Sequence, residues 1–146
     1  MNKSPAAFPD LPCMCANFRR ASRALAQLYD DALRPLGIRA TQFTILQVLS
    51  RAGEVSQGAL GRMLSMDSTT LTRTLEIMDR HGWIAKQEGK DRRERRIRLA
   101  KAGEVQLQRG VSRWEKVQAQ LRRQLGDERW DNLLKLTSEV TNVATQ

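Results

Sequence analysis

The segment from Asp67 to Leu99 constrains this chain more than any other. Its first half, Asp67-Ser68-Thr69-Thr70-Leu71-Thr72-Arg73 and onward to His81, is a helical pattern that stops at Gly82. Leu71, Leu75 and Met78 recur at spacings of four and three and mark its inward stripe. Ser68, Thr69, Thr70, Thr72, Arg73 and Glu76 are left on the outward side. Ser and Thr are middling helix formers, so a cluster of them near one helix N-terminus costs stability unless another demand favours it. A solvated, well-capped face is the plain explanation. Short hydroxyls and a forked guanidinium also suit base edges and phosphates in a DNA major groove.

The segment C-terminal to the helix separates these two readings. Trp83-Ile84-Ala85-Lys86 and Arg95-Arg96-Ile97-Arg98-Leu99 read as the strands of a hairpin, with Gly89-Lys90-Asp91 inside its turn region. Between Lys86 and Lys101 there are eight Lys or Arg against three acids, Glu88, Asp91 and Glu94. That is over half of the net charge of +9, in a chain of 146 residues with an isoelectric point near 10.5. A charged turn that merely guards an edge strand does not need five arginines (Arg92, Arg93, Arg95, Arg96 and Arg98) within seven residues. Arg suits forked contacts to phosphate and entry into a narrow minor groove. Strict alternation puts Arg93 and Arg95 on one side and Arg92, Glu94 and Arg96 on the other. Asp91 is placed to orient an arginine of the same turn by a bidentate pair.

The remaining segments read mostly as helix. Residues 1–12 carry three prolines and suggest a loose arm. A first helix from about Cys13 to Leu33 has Ala21, Leu25, Leu28 and Ala32 on one stripe, and Pro35 and Gly37 end it. A second starts near Thr41 with Phe43, Leu46 and Leu49 inward, and stops near Gly53. Ser56 is a good N-cap for a short third helix carrying Leu60, Met63 and Leu64, and Asp67 or Ser68 caps the fourth. After the hairpin, a long helix from about Lys101 to Gln124 carries Leu107, Val111, Trp114, Val117 and Leu121. Gly126 breaks it, and a last helix from Asp127 to about Val143 carries Trp130, Leu133, Leu136 and Val140.

The expected fold is mainly α with a small β-hairpin wing: a winged helix-turn-helix over residues 39–100, flanked by dimerisation helices at 13–38 and 101–146. The outer helices carry apolar stripes that a lone domain of this size cannot cover, and packing against a second copy in a twofold dimer is the natural solution.

Several function classes are disfavoured. No run approaches the roughly 18 apolar residues of a membrane span. The start of the chain has Phe8, Pro9, Asp10 and Pro12 where a signal peptide needs an apolar stretch, so a cytoplasmic location is expected. A thiol enzyme built on Cys13 and Cys15 would need a base within reach and a substrate cradle. The chain offers a single histidine, His81, no glycine-rich phosphate loop and no cluster of metal-ligand spacing. No cofactor and no metal are called for. His81 beside Gly82 reads as the end of a helix, and Trp83, Trp114 and Trp130 as packing residues.

The order of elements and the motif Asp91-x-Arg93-x-Arg95 resemble the MarR (multiple antibiotic resistance regulator) family of bacterial transcription factors. Ser68-Thr-Thr-Leu-Thr-Arg73, the link Gly82-Trp83-Ile84 and Leu99-Ala-Lys-Ala-Gly103 support the same likeness, with Ala100 where the family usually has Thr. The likeness runs from about Cys13 to Val143. It implies a homodimer whose first, fifth and sixth helices interlock, and binding to a palindromic operator in double-stranded DNA, usually as a repressor. In that family small phenolic ligands or oxidants often release the DNA, so a small aromatic ligand is a possible partner. Ser68, Thr69, Thr70, Thr72, Arg73, Lys90, Arg92, Arg93 and Arg95 are the DNA-binding candidates, with Asp91 orienting the wing. The rival reading is a charge-driven architectural protein blind to sequence.

Cys13 and Cys15 are the least determined pair. Two thiols can sense an oxidant or hold a soft metal, and can equally be inert. Residues i and i+2 sit about 200° apart on a helix, so the pair does not close on itself there. Arg19, Arg20 and Arg23 lie one to two turns on, where positive charge favours thiolate.

Overall fold

The computed structural model describes residues 6–91 and 93–146. Helix α1 spans Met14–Leu33 and runs into a 3-10 turn at Arg34–Leu36; α2 spans Ala40–Ala52, α3 Gln57–Leu64, α4 Ser68–Arg80, α5 Lys101–Leu125 and α6 Asp127–Ala144. Strands β2, Ile84–Glu88, and β3, Arg95–Leu99, form the hairpin. A third strand, β1 at Val55–Ser56, pairs antiparallel with β3, giving the order β1-β3-β2. The sequence pattern gives only the hairpin; two residues are too few to show a period. Their register sets Val55 and Lys86 on either side of Ile97. Ile97 is fully buried there.

The core gathers the stripes of α2, α3 and α4: Phe43, Ile45, Leu46 and Leu49 from α2, Leu60 from α3, Leu71, Leu75 and Met78 from α4, closed by Trp83 and Ile84. Helix α3 starts at Ser56, whose hydroxyl accepts the Ala59 N–H at 3.1 Å. The turn from α3 to α4 uses Ser65 in the left-handed region at φ 50°. There the Ser65 and Met66 amides donate back to the carbonyls of Arg62 and Gly61 at 3.2 and 3.0 Å, closing the helix without a glycine.

Helix α5 presses on this core so closely that two of its positions admit only glycine. A Cβ at Gly103 would lie 2.0 Å from the carbonyl oxygen of Trp83, and one at Gly110 would lie 2.4 Å from the Phe43 ring. The same helix is tied to α1. The Tyr29 hydroxyl donates to Gln118 Oε1, and burial pushes the Tyr29 phenol up. Gln106 donates to the Leu36 carbonyl at 2.6 Å. Asp30 in turn accepts the Ala40 N–H at 2.7 Å, joining the end of α1 to the start of α2. Trp114 packs on the core from α5, and Leu28, Leu121, Trp130 and Val140 are half-buried within one copy. On these outer helices the exposed large apolar residues are Met14, Phe18 and Leu25 on α1, Val105 and Leu125 on α5, and Leu133, Leu134, Leu136 and Val143 on α6. Helix α6 has no buried residue at all.

The described part of the N-terminal arm has no regular secondary structure, yet it is strapped to α1. Asn17 Nδ2 donates to the carbonyls of Leu11 and Cys13 at 2.7 and 2.8 Å, and Arg20 stacks over the Phe8 ring at 4.4 Å. Among the described residues, no helix is long and apolar enough to cross a membrane.

Candidate nucleic-acid interface

Helix α4 is fixed at both ends. Asp67 is its N-cap, with one carboxylate oxygen accepting the Thr70 N–H at 2.9 Å and the other accepting the Thr70 hydroxyl at 2.6 Å. These two bonds hold the Asp67 carboxyl below its ordinary range. At the other end Gly82 takes φ 73°, which L side chains rarely adopt, while the Gly82 and Trp83 amides donate to Asp79 and Met78. His81 stacks on the Trp83 indole at 4.3 Å between centroids, so both act as structural residues at this junction. Between the caps, Leu71, Leu75 and Met78 are buried. Ser68, Thr69, Thr70, Thr72 and Arg73 are all exposed.

These hydroxyls are not equivalent. Thr70 donates to the cap, and Thr72 Oγ1 accepts from Gln57 Nε2 of α3 at 3.0 Å. Gln57 thereby joins the site as a residue that orients Thr72. Nothing in the sequence marks it, because the contact crosses fifteen positions.

The wing departs from simple alternation. Between the strands the Glu94 N–H donates to the Asp91 carbonyl and the Gly89 N–H to the Glu94 carbonyl, at 2.9 and 2.8 Å. Only from Arg95 onward does a strand period hold, so Arg93 takes its place from the turn and not from the strand. Asp91 Oδ1 accepts the backbone N–H of Arg93 at 3.2 Å, where the sequence suggests a guanidinium partner. It shapes the turn through the main chain. Lys90, Asp91, Arg93 and Arg95 are exposed; Arg92 lies outside the described residues.

Arg96 has a different task from its neighbours. Its Nε meets Glu54 Oε2 at 3.0 Å, one terminal nitrogen meets Glu94 Oε1 at 3.0 Å, and the other donates to the Glu54 carbonyl at 3.3 Å. Glu54 and then Glu94 raise the Arg96 pKa above the ordinary arginine value. The guanidinium ties the hairpin to the turn after α2. Part of the arginine excess is therefore structural.

The two halves of the site meet across a cleft of about 670 Å³, bounded by Gln57, Thr72, Lys86, Asp91, Arg93 and Arg95. Ser68 borders a separate groove between α3 and α4. Cys13 and Cys15 are remote from both at the start of α1, and both are exposed. Cys13 is the N-cap of α1, with its Sγ accepting the Ala16 N–H at 3.5 Å. Among the described residues, no group of three or more His, Cys, Asp or Glu could hold a metal ion.

Helix α2, the short strand β1, helices α3 and α4 and a basic hairpin, in this order, define a winged helix-turn-helix protein. The model of the MarR family matches residues 38–94. The chain is 38% identical to the M. tuberculosis transcriptional regulator MosR, solved in complex with DNA, with a TM-score of 0.83 over 91% of this chain and 96% of that one. A mutant E. coli MarR solved with operator DNA shares the fold, at 23% identity and a TM-score of 0.77 over 86% of this chain and 91% of that one. YwoH of Bacillus subtilis, an HTH-type transcriptional regulator, is 28% identical over 85 residues, 58% of this chain and 62% of that protein, so the match spans less than two thirds of its length. The chain belongs to the MarR family, whose members are transcriptional regulators and not enzymes.

Proposed function

We propose that this protein binds double-stranded DNA as a homodimer, reads a palindromic operator with α4 and acts as a repressor. Ser68, Thr69, Thr70, Thr72 and Arg73 supply the reading face, while Lys90, Arg92, Arg93 and Arg95 grip phosphates, with Asp91 holding the wing turn. The observation that carries this reading is the cleft in which Thr72 of α4 faces Lys86, Arg93 and Arg95 of the hairpin. A recognition helix and a cationic hairpin on one side of the molecule match a major groove and its flanking backbone. The M. tuberculosis regulator solved with DNA, 38% identical over most of the chain, supports the same reading. Release of the DNA by a small aromatic ligand or an oxidant completes the proposal, with the exposed Cys13 and Cys15 as the thiols an oxidant would meet.

Competition binding tests it. A labelled duplex carrying the inverted repeat nearest the protein's own gene is titrated with the protein in the presence of excess unrelated duplex. A sequence reader keeps its complex, whereas loss of binding in proportion to competitor identifies a charge-only architectural protein. Repeating the titration after mild peroxide, and again after reductant, tests the thiols. Wild type that is shown to be oxidised yet keeps its affinity removes them from the mechanism.

A further inference from the structure

The hydroxyls exposed on α4 differ in what they can still offer a partner. A threonine hydroxyl has one proton to donate and two lone pairs with which to accept. Thr70 has committed its proton: its Oγ1 donates to Asp67 Oδ1 at 2.6 Å, while Asp67 Oδ2 accepts the Thr70 N–H at 2.9 Å. The Asp67 carboxyl, held below its ordinary range by these bonds, is ionised at neutral pH and can only accept. The direction of the hydroxyl bond is therefore fixed, and the outward side of Thr70 carries lone pairs alone. Thr72 is the reverse. Its Oγ1 accepts from Gln57 Nε2 at 3.0 Å, which leaves its own proton for an outside acceptor. Both threonines are exposed, about 200° apart on opposite flanks of the helix, with the buried Leu71 between them.

We infer that Thr70 is a specificity-determining residue that meets an exocyclic amino group, N4 of cytosine or N6 of adenine, in the major groove. The inference rests on the proposed reading of DNA by α4 and names the base edge that one of its side chains takes. A phosphate oxygen only accepts, so an oxygen with no proton to give cannot bond to it, and the Asp67 carboxylate alongside repels it. Guanine N7 and O6, thymine O4 and adenine N7 are acceptors too. The amino groups of cytosine and adenine are the donors that remain in that groove. Asp67 is then more than the cap of α4. By taking the Thr70 proton it sets the polarity of the side chain that meets the base, and so acts as a positioning residue. Thr72, with the opposite polarity, suits a base acceptor or a phosphate oxygen instead.

The test uses the full-length protein and the duplex that wild type enriches from a pool of random sequence. At each cytosine or adenine of the enriched half-site the amino group is deleted in turn, with 2-pyrimidinone or purine in place of the base. At one position the deletion is expected to weaken wild type about fivefold, the low end for a specific base contact, and to leave Thr70→Val unaffected. Thr70→Ser, which keeps the hydroxyl, is expected to keep the dependence. Thr72→Val is expected to bind more weakly yet keep it too. Asp67→Asn is the second variant, since asparagine also caps a helix well. Its side-chain amide can donate to Thr70 Oγ1 and turn the Thr70 proton outward. Selection with Asp67→Asn from the same pool is therefore expected to replace the cytosine or adenine at that position by guanine or thymine. If no deletion separates wild type from Thr70→Val, or Thr72→Val abolishes the dependence, the assignment of Thr70 is overturned. An Asp67→Asn motif unchanged at that position overturns the role of Asp67. A pool that yields no enriched sequence overturns the reading of an operator itself, and the role of Thr70 with it.

Discussion

Arg73 is exposed on α4, one residue after Thr72, and makes no ion pair among the described residues. A guanidinium kept free on a reading helix is suited to a forked contact with guanine. Arg73→Ala is expected to cost about 1–3 kcal/mol on the operator and less on random duplex. Equal losses on both in a binding titration would assign Arg73 to the DNA backbone. Gly103 makes the opposite kind of demand, for the absence of a side chain. In an open helix Gly→Ala stabilises by about 1 kcal/mol. Here the new methyl meets the Trp83 carbonyl, an acceptor already engaged by the Ala100 N–H and held in the wing's base. Gly103→Ala is therefore expected to destabilise by about 1–3 kcal/mol, the cost of overpacking, as read from urea unfolding. A stabilised variant would mean that α5 can slide off the wing. The pattern that marks Arg73 as outward is legible in the sequence through Leu71, Leu75 and Met78. The fact that Thr70 is engaged by Asp67 and Thr72 by Gln57 is not, because a helical period gives direction and not partners.

At the scale of elements, the long periodic helices are the most legible part of the chain. Their ends fall within a residue or so of Pro35, Gly53, Ser56, Asp67, Gly82 and Gly126, because capping and breaking residues act locally. Legibility fails where structure depends on distant partners. Strand β1 exists because β3 offers it hydrogen bonds, and Arg96 meets Glu54 across 42 positions. The wing turn breaks the alternation that would set Arg93 beside Arg95 on one strand face, yet both border the cleft facing α4. Their charge is thus available to phosphates while that of Arg96 is neutralised by two carboxylates. Arg93→Ala and Arg95→Ala are expected to weaken specific and unrelated duplex alike. With about eight phosphate contacts per dimer the log–log salt slope is about −7, and losing one contact per protomer reduces its magnitude by about 2. A slope near zero in wild type would remove the wing from the electrostatic grip. Arg96→Ala is expected to leave less of this charge effect and to loosen the hairpin, visible as faster amide exchange at β3.

At the scale of the whole molecule, one copy leaves exposed apolar residues on α1 (Met14, Phe18, Leu25) and at the end of α5 and along α6 (Leu125, Leu133, Leu134, Leu136, Val143), besides scattered ones such as Met63, Ile77 and Val105. Helix α6 packs chiefly on α5 and buries none of its own residues, so its eighteen residues gain little from the single chain. A helix of that length is marginal in water without a packed face. Leu133, Leu134 and Leu136 are 46, 57 and 53% exposed, so α6 carries apolar surface that the single chain leaves uncovered. A second copy that covers about 800 Å² on each partner would account for it. Most of the residues whose spacing suggests this face, Trp114 and Trp130 among them, are also buried or half-buried within one chain, so a stripe read from sequence merges two contacts into one. Sedimentation at micromolar concentration is expected to give a dimer. Leu136→Glu is expected to shift it toward monomer while leaving the fold of residues 39–100 intact by amide exchange, since Leu136 is exposed on a helix that packs chiefly on α5. DNA binding should fall with the dimer, because two α4 helices set roughly 34–36 Å apart engage successive turns of one duplex face, whereas one alone holds a half-site. A wild-type protein that sediments as a folded monomer would refute the dimer, and a Leu136→Glu variant that remains dimeric and binds undiminished would place the twofold contact on some other surface of the chain.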